Sequence, residues 1–518
     1  GPSSARPRGN SGPSRPMPPI LILTWALGQL GFSGQPLLVA DAVDGPAWVR
    51  YKPMGGASWD TLGLVPGPFV RMEFELPSGT QAGDSVSYAF PDPVEFAAQR
   101  QRAEPLPYPT DNDPQRLSQH LRKPAVEFGW DFARRSVRTG APAPSLGHPQ
   151  GPMARPLIYV EWVPRPAGGR TKFAPQHRWA LTHSRLVTDD PARPFYLEIN
   201  GRPQFVLGVN AVVPSDPALE DRLRLRLIEM WRAGGNTVRF WAGGTYPSER
   251  LLRTCDSLGL MVWQDFAFTG TTYPGDSTFR AWVRAEAEYQ VKRMAEHPSV
   301  VLFCGNNEIG VAWRAWGWQK TYGMSPADST QLWANNHWIF DELLPSVVAA
   351  HAPDLAYLAS SPVSNWGRPE DFTRGDNHDW RVWHGEQPTS VLAERVAPLV
   401  SEWGVPSLPG PSVRARWTAE PATYMLSYKG LELLERYLRS EQAWRGGTTG
   451  ALADASQRWQ SKVIRRTLRA QRRARPLCSG TLIWQLNDLD DAITWSLIDR
   501  DDVPKRAWSA TLREFRKF

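Results

Sequence analysis

Residues 300–308 read VVLFCGNNE and residues 398–404 read PLVSEWG. Each is an apolar run that ends in a glutamate, Glu308 or Glu402. Unbroken apolar runs suit strands buried on both faces, as in a parallel sheet covered by helices. In a barrel of parallel strands the chemistry sits at the C-terminal strand ends, where both carboxylates would lie. Cleavage of a glycosidic bond needs such a pair. One carboxyl protonates the leaving oxygen and the other attacks or steadies the anomeric carbon. A single strand-end glutamate is usually a cap or an ion-pair partner. Two of them, in a chain with 25 tryptophans, point to chemistry.

Working outward, strand and helix signals alternate from residue 195. Strands are expected at 205–210, 237–241, 260–266, 300–305, 356–360, near 381–383, at 399–402 and at 481–486. Helices are expected at 218–233, 247–258, 278–296 and 331–350. Leu219, Leu223, Leu227, Met230 and Trp231 recur at helical spacing. Pro247 suits the first turn of its helix. The pattern predicts an α/β fold, a (β/α)8 TIM barrel, with Glu308 ending the fourth strand and Glu402 the seventh. Upstream, RMEFEL (71–76) and SVSYAF (85–90) alternate as half-buried strands do, and LIYVEWV (157–163) reads as one more. The expected division is a disordered tail at 1–19, a β-rich domain at 20–140, a short β connector at 141–194 and a catalytic barrel at 195–518.

The chain has 518 residues, 41% hydrophobic and 21% charged, the balance of a globular protein. Most tryptophans must fill core, but the flat apolar indole face also matches the C–H face of a sugar ring. The net charge of +7 is spread over the chain and names no partner. The densest basic run, RRTLRAQRRAR at 465–475, has no interleaved aromatics and reads as a solvated helix face, not a nucleic-acid site. Three cysteines, Cys255, Cys304 and Cys478, suggest a reducing compartment without a disulfide framework. No stretch is apolar and long enough to span a membrane. Residues 17–34 (MPPILILTWALGQLGFSG) loosely resemble a signal peptide but read better as a first strand. The expectation is therefore a cytoplasmic protein, secreted or lysosomal if that segment acts as a leader.

Several segments together resemble a known family. FYLEINGRPQFVLGVN (195–210), CDSLGLMVWQDF (255–266), HPSVVLFCGNNE (297–308), WRVWHG (380–385), SEWGVPSLP (401–409) and GTLIWQLND (480–488) are similar to the β-mannosidases of glycoside hydrolase family 2. LRKPAVEFGWDF (121–132) resembles the loop by which that family's N-terminal β-domain, a jelly roll, reaches into the active site. The resemblance implies a retaining enzyme. Glu308 would be the general acid/base and Glu402 the nucleophile. Asn307 would bond the sugar 2-hydroxyl, and Trp484 would be the platform under the reacting sugar. Arg239 could orient Glu402. Asp131 would close the pocket, with Trp130 beside it. Trp241, His378, Trp383 and His384 match positions that line the same pocket. The histidines lack a spaced third ligand, so no metal and no cofactor are expected.

The chain also departs from the family. Only residues 1–194 precede the barrel, too few for the family's jelly roll and immunoglobulin-like domain. The usual C-terminal β-domains are expected to be absent, since the chain ends soon after WSLIDR (495–500). Ala211 stands where the family has Trp, WDFARR (130–135) replaces WDWGP, and Pro406 replaces Gln. The leading expectation is an exo-acting β-mannosidase whose partner is an oligosaccharide with terminal β-mannose. The alternatives are an endo-β-mannosidase, an exo-glucosaminidase or a galactosidase of the same clan, or a catalytically weakened sugar-binding protein.

Overall fold

The computed structural model describes residues 183–518 continuously. Upstream it describes 93–109, 118–136 and a set of strands and short turns. The upstream strands are β1 (Ile20–Thr24), β2 (Pro36–Asp41), β3 (Ala47–Lys52), β4 (Asp60–Val65), β5 (Arg71–Glu75), β6 (Ser85–Ala89) and β7 (Ile158–Trp162). They form two antiparallel sheets, ordered β1-β6-β3-β4 and β5-β2-β7. The region before the barrel is thus β-rich. β7 pairs with β2, so a strand expected within the connector completes an N-terminal sheet. Helix α1 (Pro93–Ala103) follows β6 and was not expected from the sequence. Residues 1–19 and the 141–156 part of the connector lie outside the described residues.

A small antiparallel sheet of β8 (Ser184–Val187), β9 (Tyr196–Ile199) and β10 (Arg202–Gln204) leads into the barrel. Phe195 and Leu197 pack with Met261, Trp263, Leu302, Leu399 and Leu482 in one buried cluster. This plug closes the N-terminal end of the barrel and leaves the other end for the site.

The barrel strands are β11 (Val206–Ala211), β12 (Thr237–Phe240), β13 (Met261–Asp265), β14 (Val300–Cys304), β15 (Ala356–Leu358), β16 (Asp376–His378), β17 (Leu399–Glu402) and β18 (Gly480–Ile483). All eight are parallel, in the order β15-β14-β13-β12-β11-β18-β17-β16. A parallel bridge between Ser364 and Asn377, just past β15, joins the two edges. Helices α2 (Pro217–Arg232), α3 (Glu249–Leu258) and α4 (Ser277–Met294) stand close to their expected spans. Ser248 caps α3, its hydroxyl accepting from the Leu251 amide at 3.2 Å, so Pro247 precedes the helix.

Two expectations need correction. The sixth strand is Asp376–His378, not 381–383. Its three residues are polar, so an apolar-run search passes over them. Arg381 instead folds back onto Asp379 in a turn, with Nη2 to Oδ2 at 2.7 Å. The helix expected at 331–350 is longer and interrupted: Pro326–His337, a π-helical turn at Trp338–Leu343, then Leu344–His351. Pro345 lacks an N–H and crowds the preceding turn, which accounts for the break in the α-ladder.

The basic run lies largely on the helix Thr449–Arg473, and Arg469 from it bonds Glu514 at 2.8 Å. All three cysteines are buried and free. Among the described residues no helix is long and apolar enough to cross a membrane.

Candidate active site

Strand β17 ends on Glu402, which is almost fully buried. Its Oε1 accepts from Arg239 Nη1 at 2.7 Å. Arg239, on β12, has no exposed side-chain surface. Its Nη2 donates to Asp265 and to Asn307 Oδ1, each at 2.7 Å. Nη1 also donates to Asn210 Oδ1 at 3.1 Å. Burial works against the guanidinium charge, but Asp265 and Glu402 outweigh it and hold the proton more tightly than usual. Asp265, ending β13, also accepts from the Trp263 indole at 2.9 Å. One cation is therefore fixed between two carboxylates by strand-borne side chains, and it cannot turn away from Glu402 without leaving buried acceptors unpaired.

Glu308 sits just beyond β14, on a turn the sequence builds tightly. A Cβ on Gly305 would come within 2.5 Å of the Ala359 carbonyl and the Tyr357 hydroxyl. Only glycine lets the turn pass so close. Asn306 accepts from the Ile309 amide at 3.1 Å, at the start of α5 (Ile309–Ala315), and donates to Ala359 O at 2.9 Å. Asn307 donates its amide to Phe268 O at 2.9 Å, and Glu308 donates its own to Ser361 O at 2.7 Å. Glu308 has φ +65°, the left-handed region that a non-glycine residue enters at a cost of about 1–2 kcal/mol. Such strain concentrates at functional positions.

His378, ending β16, stands between the two glutamates. Its Nδ1 is 2.8 Å from Glu308 Oε1 and 3.3 Å from Glu402 Oε2. Burial lowers the imidazole pKa to about 4, with Glu402 opposing, so the ring is neutral at pH 7. Both glutamates are pushed above the ordinary carboxylate range, first by burial. Arg239 favours the ionised form of each but bonds only Glu402. The arrangement therefore favours charge on Glu402 and a proton on Glu308.

One ligand atom from each of Glu308, His378 and Glu402 lies within 4.8 Å of the others. That spacing could admit a metal, which sequence spacing did not suggest. The Arg239 guanidinium is bonded to one of the three and would repel a cation, so the group reads as a proton-sharing cluster. Retaining glycosidases hold their carboxyls roughly 5–5.5 Å apart and inverting ones roughly 6.5–9.5 Å; the cluster suits the former.

Aromatic rings form the adjoining wall. Trp130 and Trp484 each meet Trp241 edge-on, at centroid distances of 5.0 and 5.1 Å. Phe132 packs on both Trp241 and Trp484, at 5.7 and 5.6 Å. Asp131 lies on the turn between Trp130 and Phe132. Backbone bonds between Trp130 and Ala133 hold that turn, and the Val126 amide donates to Gly243 O at 2.9 Å. Arg134 ties the loop to Asp490 at 2.8 Å. Burial, then the Glu308 charge, raises the Asp131 carboxyl to about 7.

The structure brings Glu308, Glu402, Arg239, Asn307 and His378 together directly, with Asp131, Trp130, Trp241 and Trp484 beside them. His384 is half-buried, against Trp380 at 5.4 Å. Trp383 differs from expectation. It has no exposed surface, meets Trp495 edge-on at 5.6 Å and donates to Ser427 at 3.0 Å. It braces two loops. Sequence reading missed Asp265, Asn210 and Phe132. Asp265 and Asn210 carried a usable signal, a polar residue at or near the end of an apolar strand.

No family model matches the chain. It is 29% identical over 393 residues to β-mannosidase B of Aspergillus terreus, covering 71% of this chain and 46% of that one. It is 30% identical over 343 residues to β-mannosidase B of Aspergillus niger, covering 63% and 40%. The chain thus spans less than half the length of these curated relatives. In fold it resembles the crystal structure of a β-D-mannosidase from Dictyoglomus thermophilum, with TM-score 0.77, 23% identity, 96% of this chain and 70% of that one. An exo-chitosanase from Amycolatopsis orientalis aligns less well, with TM-score 0.56 and 13% identity over 96% of this chain and 65% of that one. The chain is thus similar in sequence to β-mannosidases over part of their length, and in fold to a solved β-mannosidase.

Proposed function

We propose that the chain is a retaining exo-β-mannosidase that removes terminal β-D-mannose from oligosaccharides by double displacement. The observation that carries this is the Glu308–His378–Glu402 cluster, with Arg239 bonded to Glu402 and not to Glu308. Ionised Glu402 attacks the anomeric carbon while Glu308 gives its proton to the departing oxygen. A mannosyl ester forms on Glu402 as the glycosidic bond breaks. Glu308, now a carboxylate, takes a proton from water, which attacks the same carbon and frees Glu402. Asn307 would meet the 2-hydroxyl, since Arg239 holds its Oδ1 and its Nδ2 donates to Thr269 Oγ1 at 3.2 Å, fixing the amide. Trp484 would carry the sugar face, and Asp131 would close the far end and so favour exo action. The N-terminal β-rich domain would serve chiefly to deliver the Asp131 turn. A panel of 4-nitrophenyl β-D-glycosides tests the reading. Preferred turnover of the mannoside supports it. Preference for a gluco-, galacto- or glucosamine-configured substrate makes the chain a different glycosidase. Binding without turnover makes it a sugar-binding protein.

A further inference from the structure

The two ring nitrogens of His378 face different partners. Burial keeps the ring neutral, so one nitrogen donates and the other accepts. Ser361 Oγ lies 3.2 Å from Nε2, and Arg239 Nη1 lies 3.4 Å from it. Nη1 has two hydrogens, and both are committed at shorter range, to Glu402 at 2.7 Å and to Asn210 at 3.1 Å. The Ser361 hydroxyl has one hydrogen, and it goes to Asp376 Oδ2 at 2.6 Å. Asp376 is fully buried and also takes the Ser401 hydroxyl at 2.6 Å and the Val363 amide at 2.7 Å. Neither neighbour of Nε2 therefore has a hydrogen left for it. What Ser361 presents to the ring is a lone pair, which needs a donor. Nε2 must carry the ring proton, and Nδ1 is left bare.

Bare Nδ1 faces Glu308 Oε1 at 2.8 Å. That approach is a hydrogen bond only when Glu308 supplies the hydrogen. The charged or titratable groups facing the ring are Glu308, Glu402, Arg239 and Asp376. Glu402 Oε2, 3.3 Å from Nδ1, favours a proton on Nδ1, and the Arg239 cation disfavours one on Nε2. Of the four, Asp376 alone, acting through Ser361, holds the proton on Nε2. Ser361 also accepts the Glu308 amide on its carbonyl at 2.7 Å, which fixes the hydroxyl relative to the acid. Within the reading of the chain as a retaining glycosidase, we propose that Asp376 and Ser361 are positioning residues for Glu308. They hold His378 with its proton on Nε2, so that Nδ1 accepts from the Glu308 carboxyl and keeps the acid loaded before the leaving oxygen needs it.

The test follows the pH at which Glu308 gives up its proton. kcat/KM is measured from pH 4 to 10 with phenyl and 2,4-dinitrophenyl β-D-glycosides of the sugar the wild type turns over best. Only the phenyl leaving group needs a protonated Glu308, so only its profile should show the basic limb. In Ser361→Ala the ring is free to carry its proton on Nδ1 and donate to the Glu308 carboxylate, which favours the charged form. In Asp376→Asn the side-chain amide donates to Ser361 and turns its hydroxyl toward Nε2, with the same result. In both, the basic limb for the phenyl glycoside should move down by about 1–2 pH units. Ser401→Ala loses a bond to Asp376 that does not reach His378, and should keep the limb whatever it does to the rate. A limb unmoved in Ser361→Ala and Asp376→Asn, with rate lost evenly across pH, overturns the inference. So does a limb moved equally in Ser401→Ala. A wild type with the same basic limb for both leaving groups overturns Glu308 as the acid instead. The ring itself is read without turnover from the 15N spectrum of histidine-labelled protein at pH 7, the His378 signals identified by their loss in His378→Gln. The unprotonated nitrogen should be Nδ1 in the wild type and Nε2 in Ser361→Ala. A wild-type proton on Nδ1 overturns the proposal whatever the substrate.

Discussion

Arg239→Met removes the cation that the site is built around. In the wild type its Nη1 is 2.7 Å from Glu402 and its Nη2 2.7 Å from Asp265. Charges about 4 Å apart at an effective dielectric of about 20 attract by about 4 kcal/mol. At 1.36 kcal/mol per tenfold change in protonation, losing that attraction lowers the ionised fraction of Glu402 at neutral pH by about 10²–10³-fold. kcat/KM should fall by the same factor at pH 7. The sign is definite. Without the cation the Glu402 carboxyl titrates higher, so the acid limb of the pH profile moves upward and activity recovers in part as pH rises. The assay is kcat/KM for an aryl β-mannoside from pH 4 to 10, with the melting temperature measured alongside. Breaking a buried ion pair costs about 3–5 kcal/mol, so the variant should melt lower. Arg239→Lys keeps the charge but not the fork; it should fold better and keep the wild-type acid limb at a lower rate. A uniform loss at every pH in Arg239→Met, with the acid limb unmoved, would refute the claim that Arg239 holds Glu402 ionised.

Further outcomes follow from the same geometry. Glu308→Ala should spare substrates with very good leaving groups more than poor ones, and azide should restore turnover by giving the β-azide; equal losses without azide rescue would remove Glu308 from its role. Asp131→Ala should lower kcat/KM roughly 10- to 100-fold through lost bonds to sugar hydroxyls, with the melting temperature nearly unchanged. A lower melting temperature with normal kinetics would make that turn purely structural. Glu402→Gln should abolish turnover, and its stability relative to the wild type should improve as pH rises from 4 to 8. The Glu402 carboxyl is raised from its ordinary 4.5, so the wild-type fold loses stability as pH climbs through the raised value, and the glutamine escapes that loss. A stability difference between the two that stays constant from pH 4 to pH 8 would contradict the raised carboxyl.

Much of this architecture could be read in the sequence because it rests on burial on both faces. The runs at β11, β12, β13, β14, β17 and β18 are apolar because helices and barrel interior cover them, and each was found within a few residues. β16 was missed because Asp376 and His378 spend their polarity inside the barrel. Asp376 accepts from Ser361 and Ser401 at 2.6 Å each, and nothing in its neighbours announces those distant hydroxyls. The two glutamates were legible from strand-end position. The part of Asp265 was not, because it depends on a cation one strand away. Trp383 stands in a motif that resembles a pocket wall, and its packing against Trp495 was not legible in the sequence.

The most direct test of the central claim is mechanism-based labelling. The wild type is incubated with 2-deoxy-2-fluoro-β-D-mannosyl fluoride, digested, and the modified peptide located by mass spectrometry. The account predicts time-dependent inactivation and a single fluoromannosyl ester on Glu402, absent in Glu402→Gln. An ester on Glu308, Asp265 or any other carboxylate would contradict it, as would full activity after prolonged exposure in a preparation that hydrolyses β-mannosides.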